Sequence, residues 1–507
     1  MPVINGAAPY EVLAGCEGAV DKPPRARVEG GSREMTCLIE AGAGGVLQGL
    51  TSGNTSPPPD RRRYGRPAQR GLLMSKKVVK LPDIPGAGEE LEDYIAALFQ
   101  ASGHFVEKQI VESDPADLLE LDIFVTDYAT EKAVQRLIEV KGGKWGFTDL
   151  FKVVGWMRYL DLQHGAFFVT RWEDRESAPR KMEPLGLDVV CFDDFTTASQ
   201  RFEAKGFGSF VEPRLIDLWR HSYGVERKFV KVINGRARAG ADGAVAAKTY
   251  HRQINNGTFF ARAPEESLAL LYEAYGEHPR LTLGYAREID GGDFDPHSAS
   301  TDSPSYQVML RDGKHPELQA CMYFEHRARL AILKAAVDYA LAHPEGPPEF
   351  GMSEDGKSFF FQGLTYHALP MTFHDGMEWL REQPNFRRYA TFWQQFLWGW
   401  GGFYLQDRKE EEFGWMAEYS GIPADEIPTA LEAFDRFFPI PNGWFTTPGW
   451  TDIHLLKMVP LIFQGIGAHQ RRIQYNLAGN VSALNPSAPY TLSDLGKRIN
   501  CAVDFLL

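Results

Sequence analysis

A chain of 507 residues that is 44% hydrophobic and 12% aromatic can bury substantial cores, and its length fits two or three domains rather than a disordered polymer. Its formal charge of -13, from 54 Lys and Arg against 67 Asp and Glu, excludes a surface that coats nucleic acid uniformly and confines any such contact to local basic patches. The five cysteines, Cys16, Cys37, Cys191, Cys321 and Cys501, are scattered without a CxxC pair, which opposes a zinc module and fits reduced thiols in the cytoplasm. The N-terminus lacks the charged and apolar regions of a signal peptide, and the most apolar later stretches are too short or too polar to span a bilayer, so no membrane role is expected.

Residues 1–80 are expected to be a disordered extension. Gly, Ala, Pro and Arg dominate there, and "TSPPPDRRRYGRPAQRG" cannot build a core. Either translation starts at Met74, in "MSKKVVKLPDIPG", or Arg61, Arg62, Arg63, Arg66 and Arg70 form a basic arm. Residues 81–200 follow the pattern of a small α/β domain. "GEELEDYIAALFQASG" places Leu91, Ile95, Leu98 and Phe99 on one helical stripe, with Gly103 positioned to end the helix. "LELDIFVTDY" and "AVQRLIEVKG" are β-branched, apolar runs across a polar turn and predict consecutive antiparallel strands. Helical spacing returns through Leu150, Val153, Val154, Met157 and Leu160, and "GAFFVT" and "LDVVCF" predict two short buried strands.

Residues 201–345 are expected to be an α+β region, with short strands at "RKFVKVI", "GTFFAR" and "YQVMLR" and helices at "APEESLALLYEAYG" and "PELQACMYFEHRARLAILKAAVDYALAH". A basic segment runs from Arg227 to Arg262: Arg227, Lys228, Lys231, Arg236, Arg238, Lys248, Arg252 and Arg262 stand against a single acid, Asp242. Local charge reversal of this kind is what a phosphate-tracking surface needs, although "NGRARAGADGAVAAK" equally suits a solvated loop. "HPEGPPEFG" marks a boundary, and residues 346–507 read as mainly helical and aromatic, a region for recognition or partner binding. Seven of the eleven tryptophans lie between Trp379 and Trp450; core packing explains such density better than base stacking, with Trp393, Trp398 and Trp400 the ones whose exposure decides.

The chemistry concentrates in "RLIEVKGGKW". Residues i and i+2 of a strand share a face, so Glu139 and Lys141 project together while Val140 turns into a core. Asp122, early in the preceding strand, can lie beside them, and Glu92 on the helix before the hairpin is an outer carboxylate. Phosphodiester hydrolysis needs a hard cation to offset charge on the phosphorane and to acidify a water, and carboxylates suit Mg²⁺ or Mn²⁺ for this. A lysine alongside can bond the attacking water or the scissile phosphate. A lone ExK at a strand end is usually a solvated pair; Asp122 inside an otherwise apolar strand argues for more, because a buried carboxylate needs compensation.

With these residues in view, the stretch from about Gly88 to Phe195 resembles the PD-(D/E)xK nuclease superfamily, and within it the Mrr-like restriction endonuclease and Holliday-junction resolvase branch. "GEELEDYIAALFQASGHFVE" looks like the family's first helix with its acid at Glu92, the usual Gly-aromatic exit being Gly103-His104 here. "ELDIFVT" supplies Asp122, "LIEVKGG" supplies Glu139 and Lys141, and "LFKVVGWMRYL", "GAFFVT" and "LDVVCFDDF" follow in the family's order. The resemblance implies a restriction-endonuclease-like fold, catalysis by Glu92, Asp122, Glu139 and Lys141, and Mg²⁺ (or Mn²⁺) held by Asp122, Glu139 and the main-chain carbonyl of Val140. "KGGKWGFTDL" departs from the family by placing Gly and Trp where many relatives carry polar DNA-contacting residues, which leaves Lys144 as the candidate phosphate contact.

The expectation is therefore a cytoplasmic metal-dependent endonuclease acting on nucleic acid, DNA in preference, as a restriction or anti-phage defence effector. Its architecture resembles such proteins, including the nuclease subunits that accompany short Argonautes. A protein partner or activator would dock through the C-terminal region, and a homodimer would allow both strands to be cut. Two alternatives stand beside it: an inactive nuclease-like adaptor in a nucleic-acid-bound complex, and a repair nuclease acting on branched DNA. "GMSEDGKS" has P-loop letters but not the strand-before, helix-after context, and predicts a hairpin turn at Asp355-Gly356. His367 and His374, with Asp375, fall in expected loops without ligand spacing and are not read as a metal site.

Overall fold

The computed structural model describes residues 85–112, 119–210, 215–255, 267–268, 270–271, 316–345, 350–352, 359–361, 364–366, 371–400, 403–405, 409–438, 447–448 and 456–458, all within the unit Leu73–Leu507. The expected extension, the strands at "GTFFAR" and "YQVMLR", Arg262, His367 and the turn at Asp355-Gly356 lie outside them.

Helix α1 (Glu89–Ala101) opens the described chain with Glu89, Glu90 and Glu92 in its first turn, where carboxylates complement the helix dipole. It ends where expected: Gly103 adopts φ +91, and the His104 N–H reaches back to the Phe99 carbonyl at 3.1 Å. There follow β1 (Phe105–Glu112), β2 (Leu119–Asp127), β3 (Val134–Lys141), α2 (Phe147–Tyr159), β4 (His164–Val169), α3 (Ala178–Met182), β5 (Leu187–Cys191) and α4 (Ala198–Ala204). The five strands form one mixed sheet in the order β1-β2-β3-β4-β5, antiparallel from β1 to β3 and parallel from β3 to β5.

The parallel half is buried on both faces, as the continuous apolar runs of β4 and β5 require. One face meets α1: Ile138, Val140, Ala166, Phe168 and Val190 join Ile95, Leu98 and Phe99, and Phe99 packs edge-on to both Phe168 and Phe202. The other face meets α2: Leu137, Phe167, Val169, Leu187 and Val189 pack against Leu150, Val153 and Met157. Each of the larger side chains here contributes about 1.5–3 kcal/mol by leaving water, and Leu150→Ala alone would cost roughly 2–5 kcal/mol.

The next helix overturns one expectation. "RKFVKVI" is not a strand but the middle of α5 (Leu215–Arg238), 24 residues long. Seven residues suit a strand, but the burial of Leu215, Leu218, Trp219, Tyr223, Phe229 and Ile233 follows helical spacing over the whole length, and α5 lays that face along α1. "NGRARAGADGAVAAK" is likewise not a loop. It carries the end of α5, a turn at Gly240 (φ +83) and the start of α6 (Asp242–Ile254). Helix α7 (Pro316–Ala342) matches expectation and is buried over most of its described surface.

Beyond it, β6 (Phe350–Met352), β7 (Phe359–Phe361) and β8 (Leu364–Tyr366) form a small antiparallel sheet, so the flanks of "GMSEDGKS" do pair, Met352 opposite Phe359. The remainder is mainly helical: α8 (Met371–Glu382), α9 (Tyr389–Gln394) continuing into a π turn at Gln395–Gly399, α10 (Lys409–Ser420) and α11 (Ile427–Phe437), with a second small sheet of β9 (Phe403–Leu405), β10 (Thr447–Pro448) and β11 (Leu456–Met458). His374 and Asp375 lie within α8 rather than in a loop. Trp393 and Trp400 are buried, Trp393 stacking on Phe434 with ring centroids 3.7 Å apart, and Trp398 is packed against Tyr323; these aromatics form a core. Among the described residues no helix is long and apolar enough to cross a membrane.

Candidate active site

The site is built on a fault in the sheet. Strands β1 and β2 pair from Phe105↔Thr126 to Lys108↔Ile123 and again from Ile110↔Leu121 to Glu112↔Leu119, but Gln109 and Asp122, between these runs, do not pair. Gln109 sits at φ +53, a left-handed conformation that a glutamine seldom adopts. The fault also switches faces: Val106, Ile123 and Val125 belong to the α1 core, whereas Ile110 and Leu121 belong to the α2 core. On the other side of β2, pairing with β3 stops at Ile123↔Ile138. Asp122 and Glu139 are therefore the first residues past the end of that ladder, one on each strand.

The released position is bridged by a side chain. The Val140 N–H donates to Asp122 Oδ2 at 2.9 Å, which fixes the Asp122 carboxylate against β3. Glu139 is only 2% exposed; its Oε1 accepts an ion pair from Lys141 Nζ at 2.7 Å, while Oε2 is buried with no hydrogen-bond partner among the described residues. A buried carboxylate oxygen left in this way is costly unless a cation completes it.

Electrostatics agree with the crowding. Burial, then the neighbouring Glu139 and more weakly Glu92, push the Asp122 carboxyl up to about 7, against the opposing Val140 N–H. Burial also raises Glu92, with Lys108 holding it back. For Lys141, burial favours the neutral amine, but its bond to Glu139 outweighs this and raises its pKa. Three neighbouring carboxylates, two of them raised by burial, beside one lysine make an acidic cluster suited to a hard cation. Among the described residues, however, no three His, Cys, Asp or Glu side chains are arranged to hold a metal unaided. The donors on offer are Asp122 and Glu139, with main-chain oxygen, water or substrate left to fill the remaining positions.

Glu92, Asp122, Glu139 and Lys141 thus come together in one electrostatic cluster, and Val140 faces the α1 core as strand alternation requires. Lys144 is exposed in the loop after β3. Gly142 in that loop is packed tightly, since a Cβ there would lie 3.1 Å from Ala87 Cβ and 3.3 Å from Leu91 Cδ2. Trp145 is buried against Phe167 and donates to the Arg171 carbonyl at 2.8 Å, so it anchors the loop from within.

The basic segment divides. Arg227 forks across α1, reaching Glu89 at 3.2 Å and Asp93 at 2.8 Å, and Lys231 reaches Glu89 at 3.3 Å, so these two clamp α5 to α1. Lys228, Arg236, Arg238, Lys248 and Arg252 are exposed along α5 and α6. Sequence reasoning missed Asp93 and Lys108, a buried ion pair directly behind Glu92. Recognising β1 as a strand would have placed Lys108 on the face toward α1.

Compared with protein-family models, curated proteins and solved structures, the chain matches none.

Proposed function

We propose that this chain is a metal-dependent nuclease of the PD-(D/E)xK type, with Asp122, Glu139 and Lys141 on the five-stranded sheet and Glu92 on the helix before it as its catalytic residues. The observation that carries the reading is the Val140 N–H to Asp122 Oδ2 bond, which holds Asp122 beside Glu139 and Lys141 where two strands part. Asp122 and Glu139, with its orphaned Oε2, fit Mg²⁺ or Mn²⁺. When bound, such an ion supplies charge neutralisation on the scissile phosphate and a more acidic water.

The chain's own residues do the rest. Asp122, once ionised, and Glu139 orient the ligands. Lys141, kept protonated by Glu139, can donate to the attacking water or to a phosphate oxygen and so place positive charge where negative charge develops. Glu92, whose carboxyl is raised by burial, stands beside Asp122 as an outer carboxylate that can accept or relay a proton. The substrate is nucleic acid, DNA in preference, and restriction or anti-phage defence is the biological setting we favour, with residues 201–507 supplying recognition or partner contacts.

The Lys141–Glu139 ion pair also supports a second reading, since it satisfies the lysine without metal: an inactive adaptor that keeps the fold and only binds. Incubating supercoiled plasmid, linear duplex, single-stranded DNA and RNA with Mg²⁺, Mn²⁺ or EDTA separates the two. Metal-dependent cutting that disappears in folded Asp122→Ala and Lys141→Ala proteins establishes the nuclease; equal inertness of all three proteins leaves the adaptor.

A further inference from the structure

Beside the carboxylate cluster, between the outer side of β1–β2 and helices α5 and α6, lies a cavity of about 430 Å³. We propose that it is a binding site for a single unpaired nucleotide. The inference deepens the nuclease reading by assigning the substrate strand a place next to the scissile position, and it rests on that reading for the strand's direction toward Asp122.

Three observations carry it. The lining is cationic: Arg227, Lys231, Arg238 and Arg252 face the carboxylates of Glu89 and Glu120. Four cationic side chains stand in the lining against two carboxylates, so an added phosphate meets net positive charge. The size is also selective, because it falls in the range of small-ligand pockets, about 300–1,000 Å³, and is far too small for a duplex. Finally, Gln109 and Asn234 are among the lining residues, and side-chain amides are the groups best suited to the donor and acceptor edges of a base.

Gln109 links the cavity to the chemistry. Its left-handed backbone is strained, and such strain persists where the surrounding structure fixes it, most often at binding or catalytic sites. The fault that puts Gln109 in the cavity wall is the same one that takes Asp122 out of the ladder, and Glu120, two residues before Asp122, lines the same cavity. A nucleotide held here lies along β2 from Asp122, two residues past Glu120.

The nucleotide can come from a strand or arrive free, and fluorescence anisotropy on the full chain distinguishes the sources. Labelled single-stranded oligonucleotide, the matching duplex and labelled AMP are titrated in EDTA, where binding is read without cleavage, so inactivity of the nuclease cannot hide it. Wild type is compared with Arg238→Glu, Gln109→Ala and, as a charge-matched control on α2, Arg158→Glu. We expect single strand to bind more tightly than duplex, Arg238→Glu and Gln109→Ala each to weaken it at least about tenfold, and Arg158→Glu to leave it unchanged. Tight AMP binding lost in the same two variants supports the cavity and makes its occupant a free nucleotide. Binding of neither probe, or binding indifferent to both cavity variants, overturns the proposal.

Discussion

Gln394 closes the free edge of the sheet on Val106: its Oε1 accepts from the Val106 N–H at 2.9 Å and its Nε2 donates to the Val106 carbonyl at 2.7 Å. An edge strand exposes a row of unpaired main-chain groups, and here one buried amide mimics the missing neighbour. Further along β1, the Val111 N–H donates to the Asn255 carbonyl at 3.0 Å. The nucleotide cavity lies next to this second closure.

The first expectation concerns that edge. Gln394→Leu keeps the volume but strands two buried main-chain groups, at about 1–3 kcal/mol each. Urea unfolding should show a loss of about 2–6 kcal/mol; a loss below about 0.5 kcal/mol would mean that water replaces the amide at no cost.

Activity should separate from stability at Glu139. Glu139→Gln removes a buried charge with an orphaned oxygen, so thermal stability in EDTA should stay level or rise, while metal-dependent cleavage should fall at least about 100-fold. Lys141→Ala should lower cleavage comparably. Retained cleavage in either variant would remove that residue from the chemistry.

The raised Asp122 carboxyl predicts two opposite pH trends. Metal binding needs the ionised form, so apparent Mg²⁺ affinity should drop about tenfold for each pH unit below about 7 and level off above it. Without metal, the folded protein holds a proton that the unfolded chain, with its carboxyl near 3.9, releases earlier. Stability therefore falls as pH rises from about 4 to about 7 and is flat beyond. Asp122→Asn should make this slope shallower and raise stability at pH 8 in EDTA; an unchanged slope by calorimetry would show that Asp122 is not a titrating group.

Gly186 tests the turn that feeds β5. It holds φ +76, and a Cβ there would fall 2.2 Å from the Gln163 carbonyl oxygen. Gly186→Ala should cost at least about 2 kcal/mol through backbone strain and overpacking. A melting temperature equal to wild type would show that the turn relaxes freely.

The hairpin of β2 and β3 and helices α1, α2 and α7 were legible in the sequence because each rests on local periodicity, as does the shared face of Glu139 and Lys141; Asp122 and Glu92 were joined to them by the order of elements in the family they resemble. Strand β1 was not. The fault at Gln109 breaks its alternation, and its buried Lys108 and Glu107 are balanced by Asp93 on α1 and by Lys334 on α7, the latter more than 200 residues away. Arg227 and Lys231 looked like phosphate contacts because their partners, Glu89 and Asp93, lie far back in the chain. A local charge count cannot see such pairings.

The closures on Val106 and Val111 also set the order of events during synthesis. The carboxylate cluster is translated by Lys141 and its sheet by Cys191, yet the outer strand waits for Asn255 and then Gln394, a delay of roughly 10–40 s after the last strand at ribosomal speed. Nascent chains stopped in that interval carry a bare strand edge, open to misassembly and to proteases. The support of this edge therefore ties a strand made in the first quarter of the chain to residues made in its second half.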